Sequence, residues 1–329
     1  MLRVGVVLGA GGSVGLAFHG GVLAAIEEAT GWDPRTAEVV VGTSAGSLSA
    51  ALLRIGLPAA DLRRVSEGVP LSADGARLAE IGAPHRPRAA RAGFLRPRLP
   101  ADVTGVALGV LRPWARTPGA LAAALLPSGP VDTAPISAGL DRVAGEGWPE
   151  SPLWVTTVRL RDGRRVVFGQ DGAPTARLGQ AVAASCAIPA YFRPVAIGRD
   201  RYVDGGVASI HNLDLLAEHE LDLVVVSAPM AHAGRRAPLC ADAVVRRLIR
   251  RQLDREVARV RRRTPVLVLA PTRRVVGAMG FDAMDARRRR LVSRMARTST
   301  LAYLDRSGFA PLLAQARGTG PARPRSPAA

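Results

Sequence analysis

The sequence predicts an α/β fold in which a largely parallel, buried sheet is covered by helices on both faces. Three observations predict it. The chain opens strand–helix–strand–helix, and a helical crossover joins parallel strands. Short buried-type strands return at residues 221–227 and 265–269. The chain is 329 residues long and 48% hydrophobic, which is ample for such a core. Only 4% of residues are aromatic, so that core is made mostly of Ala, Val and Leu.

Taken in order, residues 3–8 form a strand, a glycine cluster spans 9–15, and a helix runs to about 29. Residues 38–41 are a second strand and 45–55 a second helix. From 58 to 130 prolines and arginines break the pattern, with short helical stretches at 103–111 and 120–126. This region reads as a cap or insertion over the sheet edge. Its Val, Leu and Trp114 lie among Arg96, Arg98, Arg112 and Arg116, so it is either a lid that touches lipid or a packed cap with solvated arginines. Strands at 153–160 and 165–168 flank a hairpin turn at Asp162-Gly163. A helix at 177–185 precedes a short strand at 201–203. Residues 241–259 and 282–305 are arginine-rich amphipathic helices. One domain therefore spans 1–310, and 311–329 reads as a disordered tail.

The formal charge is +18, and every one of the 45 basic residues is Arg. With so much Ala, Gly and Pro, this bias points to GC-rich coding before it points to a partner. Residues 235–297 carry 19 Arg against five acids. Anionic membrane, nucleic acid and plain solvation compete for that charge. Neither arginine run holds an aromatic for base stacking, which argues against single-stranded nucleic acid. Nucleic acid in general is the disfavoured partner, although general phosphate binding stays open. Cys186 and Cys240 have no metal-ligand spacing. The N-terminus reads as strand, glycine turn and helix rather than as a signal peptide, and no apolar run reaches about 18 residues. The expected location is cytoplasmic, with peripheral contact at the inner membrane face.

Three signals carry chemistry. Gly42-Thr43-Ser44-Ala45-Gly46 is a G-x-S-x-G pattern after a strand and before a helix. Gly42 and Gly46 leave room for a tight turn that exposes the Ser44 hydroxyl beside a helix N-terminus. By itself the pentapeptide serves equally as a compact connection. The loop Leu8 to Gly15, LGAGGSVG, offers successive N–H groups to an anion. A dinucleotide site requires G-x-G-x-x-G and an acid ending the second strand. Here Val14 breaks the register and the strand delivers Ser44 instead, so oxyanion stabilisation fits better. Asp204-Gly205-Gly206 ends a strand with an open carboxylate, and is equally an ordinary turn.

No histidine stands where an imidazole base is expected. His85 lies in the proline–arginine segment, His19 in the first helix as a core residue, and His219 and His232 on the surface. His211 is a minor candidate, against a structural role. Otherwise Asp204 serves Ser44 directly, with burial raising its basicity.

Together these segments resemble the patatin-like phospholipase family: GAGGSVGLAFHGGVLAAIEE, VGTSAGSLSAALL and ASCAIPAYFRPVAIGRDRYVDGG occur in the family's order. The resemblance covers residues 4–57 and 152–226. It implies a three-layer α/β/α sandwich with a mixed, largely parallel sheet, and a serine acyl hydrolase acting on a lipid or acyl ester without metal or organic cofactor. It implies Ser44 as nucleophile, Asp204 as base, and Gly11, Gly12 and Ser13 as the oxyanion loop. The chain departs from the pattern at three places. Ala10 stands for a glycine and Val14 for a cation, and Asn212-Leu213-Asp214 lacks the proline of Asn-x-Pro. The competing reading is a catalytically weak protein of this fold that binds membrane or nucleic acid through its basic surface.

Overall fold

Short runs of Val and Leu make the strands, and glycine-started helices return the chain to the next one. A computed structural model describes residues 2–82, 126, 128–145, 147–232 and 243–316. Strand β1 (Val4–Leu8), helix α1 (Gly12–Thr30), β2 (Val39–Gly42) and α2 (Ala45–Arg54) form the expected opening. Helices α3 (Ala59–Glu67), α4 (Ala73–Gly82) and α5 (Ala134–Ala144) precede the hairpin of β3 (Leu153–Arg159) and β4 (Arg165–Phe168). Helix α6 (Leu178–Ser185), β5 (Val195–Ile197), β6 (Asp200–Asp204) and β7 (Leu223–Ser227) follow. The described chain continues through α7 (Ala243–Val260), β8 (Val266–Leu269), α8 (Arg273–Met279), α9 (Arg289–Arg306) and α10 (Phe309–Gln315).

All eight strands join one sheet with hydrogen-bonded order β5-β6-β3-β2-β1-β7-β8, and β4 pairs with β3. The run from β3 to β8 is parallel, whereas β4, β5 and β6 are antiparallel additions. Alternation along each strand sends side chains to two separate cores. Val4, Val6, Leu8, Val40 and Val225 face the layer containing α1, α2, α6 and α9. Val7, Val39, Val41, Val224 and Val226 face Leu253, Val257 and Val260 of α7. Helices on both faces of a mixed, mostly parallel sheet make a three-layer α/β/α sandwich.

One strand does particular positional work. Val40 N–H donates to Pro152 O and Leu160 N–H donates to Arg201 O, while Arg159 N–H turns the other way, to Arg164 O. Backbone groups alternate between the two edges of a strand, so β2 and β6 lie one after the other along the same edge of β3. Gly42 sits opposite Val155 and Asp204 opposite Thr157. The C-terminal ends of β2 and β6 therefore converge two residues apart on β3.

Several sequence expectations shift. Within the segment read as a cap or insertion, Ala59 and Leu62 of α3 belong to the core around α1. Residues 83–125 and 127 lie outside the described residues, and with them His85, Trp114, the four cap arginines and nearly all of the two short helical stretches. Helix α10 occupies the first residues of the expected tail, with Leu313 fully buried, and 317–329 lie outside the described residues. The helix expected at 282–305 starts only at Arg289, because Asp285 caps a separate 3-10 turn by accepting the Arg287 N–H. Helix α7 carries exposed Arg247, Arg251, Arg255 and Arg259 at every fourth position, a basic stripe. The arginines of α9 are employed differently. Arg297 pairs with Glu28 at 2.5 Å, Arg294 pairs with buried Glu67 at 3.4 Å, and Arg290 donates to the Glu67 carbonyl, all binding α9 to α1 and α3. Among the described residues no helix is long and apolar enough to cross a membrane.

Candidate active site

Ser44 occupies the turn between β2 and α2 with φ 54° and ψ −123°, a region that non-glycine residues rarely adopt. The turn survives because neighbours hold it from every side. Thr43 N–H donates to Leu8 O at 3.0 Å, Ser44 N–H to Ser185 Oγ at 2.9 Å, and Ser47 Oγ to Ser44 O at 2.7 Å. Gly42 ends β2 against the first turn of α2. A side chain on Gly46 would overlap the Leu8 carbonyl, so only glycine lets α2 start this close to β1.

Asp204 ends β6. It is 5% exposed, and its Oδ1 accepts the Gly206 N–H at 2.7 Å. The Ser44 side chain lies beside the same carboxylate and favours its charged form. Burial raises the Asp204 pKa from 3.8 to about 6, against the opposing influence of Ser44 and the Gly206 N–H. Gly205 lies flat on the Thr156 backbone, where any side chain would collide.

The glycine loop completes the constellation. Gly12 has φ 61°, and a Cβ there would lie 2.7 Å from Ala283 O, so two independent restraints require glycine. Gly9 N–H is used by Ser227 O, Ala10 N–H by Ile210 O, and Val14 N–H by Ala283 O. Among the described residues no acceptor meets the N–H groups of Gly11, Gly12 or Ser13. These are the loop's end and the first turn of α1, where the intrahelical ladder leaves donors free and the dipole end is positive. Ala10 is not a positive-φ residue, so its methyl group needs no glycine backbone. Val14 is 3% exposed and packs into the main core, which leaves no place for a cation there.

Neither His19 nor His211 bonds to Ser44 or Asp204. His19 is fully buried, with Nε2 2.8 Å from Gly9 O and Nδ1 2.8 Å from Ser227 Oγ. A carbonyl only accepts, so Nε2 carries the proton and Nδ1 accepts from the serine. Burial lowers its pKa to about 4. His211 is fully buried against Gly9, and among the described residues its ring nitrogens have no hydrogen-bond partner. Burial lowers its pKa to about 3, with smaller repulsion from His19 and Arg250. His219 is exposed as expected and meets Trp154 edge-on at 4.7 Å. His232 is a correction: it is buried, 4% exposed, rather than on the surface.

A buried polar network behind the turn escaped the sequence reading. Asn212 Nδ2 donates to Thr43 Oγ1 at 3.0 Å and Thr156 Oγ1 at 3.2 Å. Arg165 donates to Asn212 Oδ1 at 3.0 Å and grips Asp214 with two bonds, at 2.8 and 2.7 Å. Asp214 stands where the resemblance calls for proline, and its ion pair with Arg165 fixes which way the Asn212 amide faces. Among the described residues no group of three or more His, Cys, Asp or Glu is placed to hold a metal ion.

Residues 6–217 match the family described as Patatin-like phospholipase. No curated protein matches the chain. Among solved structures, VipD from Legionella pneumophila is similar at 14% identity and a TM-score of 0.44, over 93% of this chain and 67% of VipD. The type III effector ExoU is similar at 19% identity and a TM-score of 0.38, over 93% of this chain and 53% of that one. The ExoU–SpcU complex from Pseudomonas aeruginosa gives 17% and 0.38, over 93% and 51%. The chain thus spans about half the length of the ExoU chains.

Proposed function

The chain belongs to the patatin-like phospholipase family, and from that premise we propose that it hydrolyses lipid carboxylic esters with Ser44 as nucleophile and Asp204 as base. The observation that carries this reading is a serine in strained backbone beside a buried carboxylate, with three consecutive N–H groups that meet no acceptor among the described residues.

Ser44 Oγ attacks the ester carbonyl carbon as Asp204 takes its proton. The carbonyl oxygen becomes an oxyanion held by the N–H groups of Gly11, Gly12 and Ser13. Collapse breaks the acyl C–O bond, and the alcohol leaves with the proton from Asp204. Water then attacks the acyl-serine, giving its proton to Asp204. The second collapse returns that proton to Ser44 and frees the acid. A carboxylate with a pKa of about 6 is a better base than a solvated one, yet it is mostly ionised at pH 7. The substrate lies at an anionic lipid surface, and the exposed arginine stripe of α7 supports this placement.

The test is labelling with a fluorophosphonate probe together with hydrolysis of a soluble butyrate ester. The wild type labels and turns over. Ser44→Ala loses the label, and its kcat/KM falls by about a thousandfold or more. Equal labelling or equal turnover in Ser44→Ala sinks the proposal.

A further inference from the structure

An ester held between the glycine loop and Asp204 must send its acyl chain somewhere. One apolar strip joins the two walls. On the loop side, Val14 N–H donates to Ala283 O at 3.1 Å, and Met284 Sδ lies 3.1 Å from where a Cβ on Gly12 would stand. On the other side, Ala187 O accepts the Asp204 N–H at 3.0 Å. The turn that follows folds back on Ile188, whose carbonyl accepts from both Tyr191 and Phe192. Met284, Ile188 and Tyr191 all pack on one buried base of Val131, Ala187 and Phe192.

The exposure pattern fits a surface awaiting a ligand. The base is buried, while Ile188, Tyr191, Met284 and Val195, which cover it, are each partly open. The cluster contains no charged side chain. Its turn holds Ala190 at φ 65°, a left-handed conformation uncommon for a residue other than glycine. Three residues before Met284, Phe281 is 75% exposed. A phenyl ring left in water beside the strip extends the apolar surface outward. Arg287, with a 90% exposed side chain, follows Met284 on the same segment and is ion-paired with Asp285 at 2.9 Å.

Resting on the ester hydrolase reading, we propose that Ile188, Tyr191 and Met284 form the acyl-chain subsite, entered from the Phe281 end. The chain lies along the strip from the carbonyl carbon outward and covers the three side chains. Its ligand class is a medium or long saturated acyl group. Burial of each methylene is worth about 0.8 kcal/mol, so kcat/KM rises roughly fourfold per methylene that the strip covers.

The experiment is a series of p-nitrophenyl esters with acyl chains of about four to twelve carbons, the readout being the ratio of long-chain to short-chain kcat/KM. The wild type favours the long chain. Met284→Gln lowers that ratio at least tenfold, and Met284→Leu restores most of it. Phe281→Ser, at an exposed position that folding does not depend on, lowers it severalfold. An unchanged ratio in Phe281→Ser and Met284→Gln overturns the subsite, as does a wild type without chain-length preference. Either result leaves the serine reading standing, because that reading fails only if Ser44→Ala hydrolyses the short ester as well as the wild type does.

Discussion

Ser44 and Ser209 each lie beside a buried carboxylate, the first at the turn after β2 and the second beneath α7. Ser209 Oγ donates to Glu256 Oε1 at 2.6 Å, and Ser44 lies beside Asp204. Exposure does not separate them, since Ser44 is 3% exposed and Ser209 4%. Nor does acidity: burial raises Glu256 to about 7 and Asp204 to about 6. The difference lies in what else each serine does. Ser209 Oγ also accepts the N–H groups of His211 and Asn212, at 3.2 and 3.0 Å, so its lone pairs are committed. Glu256 Oε2 is held by Leu213 N–H at 3.0 Å. Ser44 is in strained backbone at the end of β2, the strand paired with β1, which leads into the glycine loop with its free donors. A perturbed carboxylate next to a hydroxyl is therefore a weak mark of catalysis. Free donors for the developing charge are the discriminating feature.

The largest expected effect contrasts the two acids directly. Asp204→Asn removes the base and lowers kcat/KM on a soluble ester by about a thousandfold or more. Glu256→Gln loses one acceptor for Leu213 N–H or Ser209, costs about 1–3 kcal/mol of stability, and leaves kcat/KM within roughly tenfold. Comparable losses in both variants erase the distinction between the pairs.

A smaller effect sharpens the same contrast through pH. A base acts when ionised, so kcat/KM falls as pH drops through about 6, the Asp204 value. Glu256→Gln leaves that limb in place. A limb near 7 that vanishes in Glu256→Gln assigns the titration to the wrong pair. Stability moves the other way. Both folded-state pKa values lie above the unfolded ones, so the folded protein holds these protons more tightly and stability falls as pH rises. The windows are 3.8 to about 6 for Asp204 and 4.5 to about 7 for Glu256. Thermal midpoints between pH 4 and 8 show this fall in the wild type, and Glu256→Gln loses its upper part.

The contrast also explains what the sequence disclosed. Ser44 and Asp204 were singled out because each follows or ends a short strand with glycine close by, a local pattern. The free donors were legible for the same reason, as a glycine loop running into a helix. The Ser209–Glu256 pair was not, because Glu256 sits in RRQLDREVARV, whose arginines make the helix look wholly solvated. Its burial depends on α7 covering one face of the sheet. Asn212 was visible only as part of a departure from the family pattern. The threonines it joins are 169 and 56 residues away, and only the strand order brings them together. The hairpin strand Val195–Ile197 was missed at three residues, too short for alternation to register. Strand order itself cannot be read from hydrophobic runs, so the placing of β2 and β6 along one edge of β3 lay beyond the sequence.

The smallest expected effect concerns the glycine loop after β1. Ala10 replaces a glycine of the family pattern, yet its backbone is not left-handed and its N–H already bonds to Ile210 O at 2.8 Å. Its methyl group lies 3.6 Å from where a Cβ on Gly206 would stand, an ordinary contact. The donors assigned to the oxyanion begin one residue later, at Gly11. Ala10→Gly therefore changes kcat/KM by less than about threefold and costs about 0.4–1 kcal/mol, through the greater freedom of the unfolded chain. Denaturant midpoints and ester kinetics measure the two separately. A tenfold rise in kcat would mean that the alanine restrains the loop, and that the free donors of the resting structure must move before they meet an oxyanion.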